Sequence, residues 1–426
     1  MFKKIITNLF SSLAGKLLTV RSPKVVVVTG SVGKTSTKEA IVDVLQTHYK
    51  VATTKGNFNM EVVVPLAVLG LGLPSALHSP LAWADLYLRA RRRLKEPYEF
   101  DVVVLELGAD HPGDLAHYTR WIKPTIAVVT GVSDEHLEFF KNVEAVAKEE
   151  LTMCSVAETA LLNRDDIDSK YDQLTQNKKI LTYGLDSKNT YQFTPRQFTI
   201  HYGYDGSFSG EGLTKFKSQV RVVGQHNLRS AAAAVAVGHL LDVPVDKIMQ
   251  GVEDIQPVPG RMNLLQGAEG SILIDDSYNS SPLAAKAALD TLYSFKTDNN
   301  ERIAILGSMN ELGEASEEAH KELGAYCDPS KLDWVVTVGH DANEWLAPAA
   351  ESNGCRTKTF LSPIDAGEFV RRLLADGTVV LIKGSQNRVF TEEATKLLLR
   401  DSEDEKQLVR QSLYWEEVKR KQFSGL

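Results

Sequence analysis

The sequence predicts an α/β protein built on mainly parallel sheets, and three observations carry that prediction. Short apolar, β-branched runs recur: "VVVVT" (25–29), "DVVVLEL" (101–107), "TIAVVT" (125–130) and "ALLN" (160–163), then "SILIDD", "RIAILG", "WVVTVG" and "TVVLIK" beyond residue 270. Continuous apolar runs of this kind mark strands covered on both faces, as in parallel sheets. Helical patterns fill much of the space between them, as crossover connections require. Finally, "IQPVPGR" (255–261), with two prolines and a glycine, reads as a hinge between two α/β domains.

At the start, residues 1–22 form an amphipathic helix. Phe2, Ile5, Ile6, Leu9, Phe10, Leu13, Leu17 and Leu18 fall on one face, and Lys3, Lys4, Lys16, Arg21 and Lys24 are basic with no acid before Glu39. The pattern fits a helix docked on the body of the protein. It fits less readily a helix resting on an anionic membrane surface. The aromatic and arginine-rich "LAWADLYLRARRRLK" (81–95) favours the second reading. From about 178 to 223, short alternating stretches such as "QFTIHYGYDGSFSG" read as an antiparallel β extension, and "HNLRSAAAAVAVGHLL" (226–241) reads as a helix. From Arg400 onward the chain reads as a charged tail ending in a surface helix.

Composition excludes several classes. Net charge is -7 with no long basic tract, which argues against nucleic acid as a partner. No apolar run is long enough to span a bilayer. The three cysteines, Cys154, Cys327 and Cys355, have no metal-ligand spacing and suggest a reducing, cytoplasmic setting. A monomer is expected.

The chemistry begins at "VVVVTGSVGKTSTKEAI" (25–41). A buried strand delivers a glycine-rich loop that opens a helix. The loop, read as T-G-S-V-G-K-T, fits the phosphate-binding pattern G-x-x-x-x-G-K-[ST] once its first glycine is relaxed. Gly30 and Gly33 let backbone N–H groups converge on phosphate oxygens, Lys34 reaches the β/γ phosphates, and the Thr35 hydroxyl can ligate magnesium. No N-K-x-D guanine motif follows, so adenine is the better fit. Glu106 ends a strand in the same sheet and is placed for magnesium. His136 follows another strand; it is either a ligand or a structural histidine.

The stretches "TGSVGKTSTKE", "GNFNMEVVVP", "LELGADHPGD", "HLEFF", "GQHNLRSAAAA", "VPGRM", "DDSYNSSP", "LGSMNELG" and "LIKGS" occur in the order found in Mur ligases, the ATP-dependent amide-forming family of peptidoglycan synthesis. The chain resembles that family over roughly residues 23 to 400, most of all its members that add D-alanyl-D-alanine to a muramoyl tripeptide. The resemblance implies a central P-loop ATPase-type domain (23–257), a Rossmann-like C-terminal domain (258–400) and the tail 401–426. It implies ATP and Mg2+ as cofactors, an acyl-phosphate intermediate, and a peptide or amino-sugar substrate.

Carried over, Gly30, Ser31, Val32, Gly33, Lys34, Thr35 and Ser36 would cradle the phosphates. Thr35 and Glu106 would bind one magnesium and His136 a second. Asn227 would contact adenine, and Arg261, Asp276, Tyr278 and Asn279 would close over the nucleotide. Asn57 and Asn59 would face the acyl substrate, and Lys383 and Ser385 the incoming D-alanyl-D-alanine. Read from the residues alone, Asn227 could cap a helix, Arg261 could be a surface residue, Asp276 and Asn279 could be turn formers, and Lys383 could be a solvated strand end. Most Mur ligases carry a carbamoylated lysine on the helix after the histidine. An ungapped count puts Glu150 there, with Lys148 about 200° away around the helix. Glu150 would then supply a permanent carboxylate at the second magnesium, or else be solvated in "KEE".

Members acting on UDP-linked peptides carry an N-terminal domain that grips the uridine nucleotide. With the phosphate loop near residue 30, the sequence has no room for one, and recognition of the nucleotide-sugar handle is expected to differ. Other readings are a ligase acting on a folate, cofactor or lipid-linked carboxylate, and an enzymatically silent ATP-binding partner subunit.

Overall fold

The computed structural model describes residues 2–54, 61–74, 76–133, 139–200, 202–295 and 301–423. The chain divides into two compact units, the first holding the described residues up to 133, 139–221 and 227–256, the second holding 222–226 and the chain from 257 onward.

The first unit is built on a nine-stranded sheet of order β2-β3-β1-β4-β5-β6-β7-β8-β9. Its strands are β1 (Lys24–Thr29), β2 (Val51–Thr53), β3 (Val102–Glu106), β4 (Ile126–Val129), β5 (Thr159–Asn163), β6 (Ile180–Gly184), β7 (Tyr191–Thr199), β8 (Gly203–Gly210) and β9 (Leu213–Val220). Neighbours from β2 through β7 pair in parallel, whereas β7–β8 and β8–β9 are antiparallel. The antiparallel extension thus begins at β7; β6, inside the stretch expected to be antiparallel, continues the parallel sheet. Val26, Val27 and Val28 are fully buried, as are Val102 to Leu105 and Ala127 to Val129. The valine runs follow from this, since these strands are covered by helices on both faces.

The N-terminal segment is a helix, α1 (Phe2–Arg21), and it is docked. Ile6, Phe10, Leu13, Ala14, Leu17 and Leu18 join the core of the unit. Phe10 meets Trp83 and Tyr87 edge-on, with ring centroids 6.2 Å apart in each case. The single-face reading needs correction, because Ile5 and Leu9 point outward at 52% and 46% exposure. The apolar stripe that would enter a bilayer is instead part of the core. After α1 come α2 (Lys34–Leu45), α3 (Val63–Val68), α4 (Pro80–Arg93), α5 (Val143–Glu150) and α6 (Gln225–Leu240).

The second unit holds a six-stranded sheet of order β10-β11-β15-β12-β13-β14. Its strands are β10 (Asn263–Gln266), β11 (Ile272–Asp276), β12 (Arg302–Gly307), β13 (Trp334–Val338), β14 (Thr357–Phe360) and β15 (Val379–Lys383). All pairs are parallel except β10–β11. The tail differs from a solvated charged run. Leu408 lies in the core of this unit. Arg410 donates to both carboxylate oxygens of the fully buried Glu392, at 2.7 and 2.8 Å, and to the carbonyls of Ser277 and Tyr278. Lys419, on the terminal helix Leu413–Phe423, is buried and paired with Glu393. These charges satisfy one another inside the unit, so a charge-rich segment packs as an integral element.

Candidate active site

Strand order creates the phosphate loop. β1 lies between β3 and β4, with Val28 beside Glu106 and Thr29 beside Val129. The carboxyl ends of three adjacent strands therefore deliver Gly30, Glu106 and Thr130 to one edge, where open α/β sheets bind ligands. Gly30 and Gly33 have φ of 123° and 83°. A Cβ on Gly30 would stand 2.3 Å from Thr130 Oγ1, so only glycine fits.

The loop is pinned from several sides. Thr130 Oγ1 donates to the carbonyls of Val32 (2.6 Å) and Thr29 (3.0 Å). Ser31 N–H donates to Gly131 O, and Ser133 N–H to Ser31 Oγ. Lys34 opens α2, which puts the amide end of the helix dipole at the loop. Its ammonium donates to the carbonyls of Gly30 and Ser31.

Thr35 Oγ1 donates to Glu106 Oε1 at 2.8 Å, so the two residues expected to share a magnesium ion are in contact. Glu106 Oε2 is buried and makes no hydrogen bond among the described residues. Lys38, one turn along α2 from Lys34, lies 3.7 Å from that oxygen. Its side chain is fully buried, pairs with Glu39 at 2.9 Å and donates to Thr54 O at 3.0 Å. Sequence reasoning missed Lys38. The only signal was its spacing of four from Lys34, which a solvent-facing lysine would share.

Glu150 is buried, which excludes the solvated alternative, and its Oε2 accepts the Gly30 N–H at 2.6 Å. Its carbonyl accepts the Thr29 hydroxyl. Lys148 is exposed on the other side of α5. Glu149, also unanticipated, holds the loop after β3 by accepting the N–H groups of Gly113 and Leu115. Asn227 is buried inside the first turn of α6, not ahead of it as a cap would be. Ser230 on the same helix lies 3.0 Å from Thr37 of α2. Asn57, Asn59 and His136 lie outside the described residues.

The second unit gathers the remaining residues. Asp276 ends β11 directly beside Lys383, which ends β15. Lys383 is not a solvated strand end; it is buried, lies 3.0 Å from Asp276 Oδ2 and donates to Asn279 O. Burial pushes the Asp276 carboxyl up, and the Lys383 charge works against that shift. Met262 N–H donates to Asp276 Oδ1 at 3.2 Å. The Arg261 guanidinium lies over the Tyr278 ring, 4.3 Å from its centroid, so it is stacked rather than a free surface residue. Arg410 approaches the same ring at 5.7 Å. Ser385 Oγ is buried and makes no hydrogen bond among the described residues.

Known proteins match this arrangement. Residues 28–238 match the Mur ligase middle domain and residues 260–386 the glutamate ligase domain of Mur ligases. The UDP-N-acetylmuramoyl-tripeptide–D-alanyl-D-alanine ligase of Bacillus subtilis is 28% identical over 396 residues, 91% of this chain and 78% of its own. The enzyme of the same name from Escherichia coli is 28% identical over 391 residues, 90% of this chain and 78% of its own. A MurF ligase from Thermotoga maritima, solved in complex with ADP, is 25% identical with a TM-score of 0.73, covering 94% of this chain and 84% of its own. With a phosphate loop at the end of β1 beside the Glu106-bearing β3, and both domain models matched in order, the chain belongs to the Mur ligase family.

Proposed function

We propose that this chain is an ATP-dependent ligase of peptidoglycan precursor synthesis that joins D-alanyl-D-alanine to a muramoyl tripeptide. The observation that carries the reading is the Thr35–Glu106 contact at the mouth of the phosphate loop, with one buried Glu106 oxygen left without a hydrogen bond among the described residues. That donor pair suits magnesium, which takes one or two protein oxygens and completes its shell with phosphates and water. Magnesium bound there would neutralise charge on the transferred phosphoryl group.

The chain's own residues then do the following. The N–H groups of residues 32–36 and the Lys34 ammonium hold the ATP phosphates, on a loop shaped by Gly30 and Ser31, whose own N–H groups go to Glu150 and Gly131. The substrate carboxylate attacks the γ-phosphorus, the bond to ADP breaks, and an acyl phosphate forms. The amine of D-alanyl-D-alanine attacks the acyl carbon, phosphate leaves, and the amine proton is lost as the amide closes. Catalysis rests on position and charge, with no protein nucleophile. His136 and Glu150 are assigned to a second magnesium, and Asn227, Arg261, Asp276, Tyr278 and Asn279 to the nucleotide. Asn57 and Asn59 are assigned to the acyl substrate, and Lys383 and Ser385 to the amine side.

Phosphate release with candidate substrate pairs tests the reading. Release that requires muramoyl tripeptide together with D-alanyl-D-alanine is expected, and comparing tripeptide with and without UDP defines the handle. Release driven by glutamate and a folate would point to a different amide ligase. No release with any pair would identify a silent ATP-binding subunit.

A further inference from the structure

Helices α1 and α4 lie side by side and run in the same direction. Phe10 packs on Trp83 and Tyr87, and Arg21 Nη2 donates to Glu96 O at 2.7 Å, so positions on the two helices face each other at an offset of about 75 throughout. Their inward faces are core. Their outward faces form one surface with an ordered chemistry along its length.

Six of the fourteen large apolar side chains exposed among the described residues lie here: Ile5, Leu9, Val20, Leu77, Leu81 and Leu88. Leu81 is 82% exposed. Such a concentration in two short segments is a patch, not the usual scatter of single apolar groups. The offset sets Ile5 and Leu9 beside Leu81. Toward the carboxyl ends it sets Lys16 beside Arg91. Lys16, Arg91, Arg92 and Lys95 are exposed and form no ion pair among the described residues. The acids nearby are already engaged, Asp85 by Arg89 and both Glu96 and Glu99 by Arg93. The face therefore carries uncompensated positive charge on a chain whose net charge is -7.

We propose that this two-helix face docks on an anionic bilayer surface. The leucine and isoleucine side chains enter the headgroup boundary while the free arginines and lysines meet acidic headgroups, the pairing that gives reversible interfacial attachment. No helix among the described residues is long and apolar enough to cross a membrane, so the contact is peripheral. The docking face is the outer side of α1 and α4 together, since the inner apolar side of α1 is spent on the core.

The test is co-sedimentation of the full chain with vesicles of phosphatidylcholine alone and of phosphatidylcholine mixed with phosphatidylglycerol. Binding is expected only with phosphatidylglycerol, weakening as salt is raised. The exposed double variant Arg91→Glu/Arg92→Glu should bind at least about tenfold more weakly, and Leu81→Asp should also lose affinity, with circular dichroism of both unchanged. Absence of binding at low salt, or equal binding by the charge-reversed variant, overturns the proposal. A concentration-dependent dimer abolished by Leu81→Asp, without vesicle capture, also overturns it and assigns the face to a second copy of the chain.

Discussion

The ammonium of Lys38 stands 3.7 Å from the Glu106 oxygen that Thr35 leaves unused, and it is fully buried. It ties the acid at the end of β3 to the backbone at Thr54. Lys38→Met keeps the volume and removes the charge, so Glu106 loses its aligning partner. The magnesium concentration for half-maximal turnover should rise roughly 10–100-fold, the usual cost of removing a partner behind a metal ligand. A magnesium titration of activity measures this. An unchanged titration with a lowered unfolding midpoint would make Lys38 a residue of the fold alone.

Among the described residues Lys34 bonds only to carbonyls of its own loop, and it is half-buried, so its loss leaves the core intact. Lys34→Ala should lower kcat about 10²–10³-fold, as expected for one preorganised charge at a reacting phosphoryl group. Thermal unfolding should not move. Near wild-type turnover would remove the loop from the reaction.

Glu150 and Lys148 can be separated by substitution. Glu150→Gln keeps an oxygen that can accept the Gly30 N–H and removes the negative charge. If that charge helps hold a metal ion, turnover should fall about 10–100-fold, Lys148→Ala should be unaffected, and added bicarbonate should change neither. Full activity in Glu150→Gln would reduce its role to tethering the loop.

Asp275 is fully buried, and burial pushes its carboxyl up to about 7, with Glu392 and Asp276 adding like charge. The folded state therefore binds the proton more tightly than the unfolded chain. The resulting stabilisation is complete below the ordinary value of 3.8 and is lost as pH rises through about 7. Every tenfold gain in proton affinity on folding is worth ~1.4 kcal/mol. Asp275→Asn should flatten the pH dependence of stability between these limits, gaining on the parent protein as pH rises. Urea unfolding of both proteins near each limit checks the sign; parallel profiles would refute it.

How much of this was legible depends on what each residue's neighbours had to supply. β1, β3 and β4 could be read because continuous apolar runs have few other uses. β2 and β14 could not: one is three residues long, and the other, "TKTF", has no buried residue. The phosphate loop was legible because its backbone needs glycine at fixed positions. The Thr35–Glu106 contact followed from strand order. Lys38, Arg410, Glu392 and Lys419 were not legible, since a buried charge looks like a solvated one until its partner is found many residues away. The outward turn of Ile5 and Leu9 was hidden because periodicity shows a stripe but not its angular edge.

The docking of α1 bears on how the chain is made. Its core partners come late: Phe10 waits for Trp83 and Tyr87, and Gly15 packs against Trp121. At ordinary translation speeds of about 5–20 residues per second, the helix spends about 5–20 s outside the ribosome before residue 121 follows. Until α3 and then Trp83 emerge, Phe10, Leu13, Leu17 and Leu18 lack the core partners that cover them. The helix is thus made before the partners that shelter it. A ribosome stalled before residue 83 would display Phe10 without its aromatic partners.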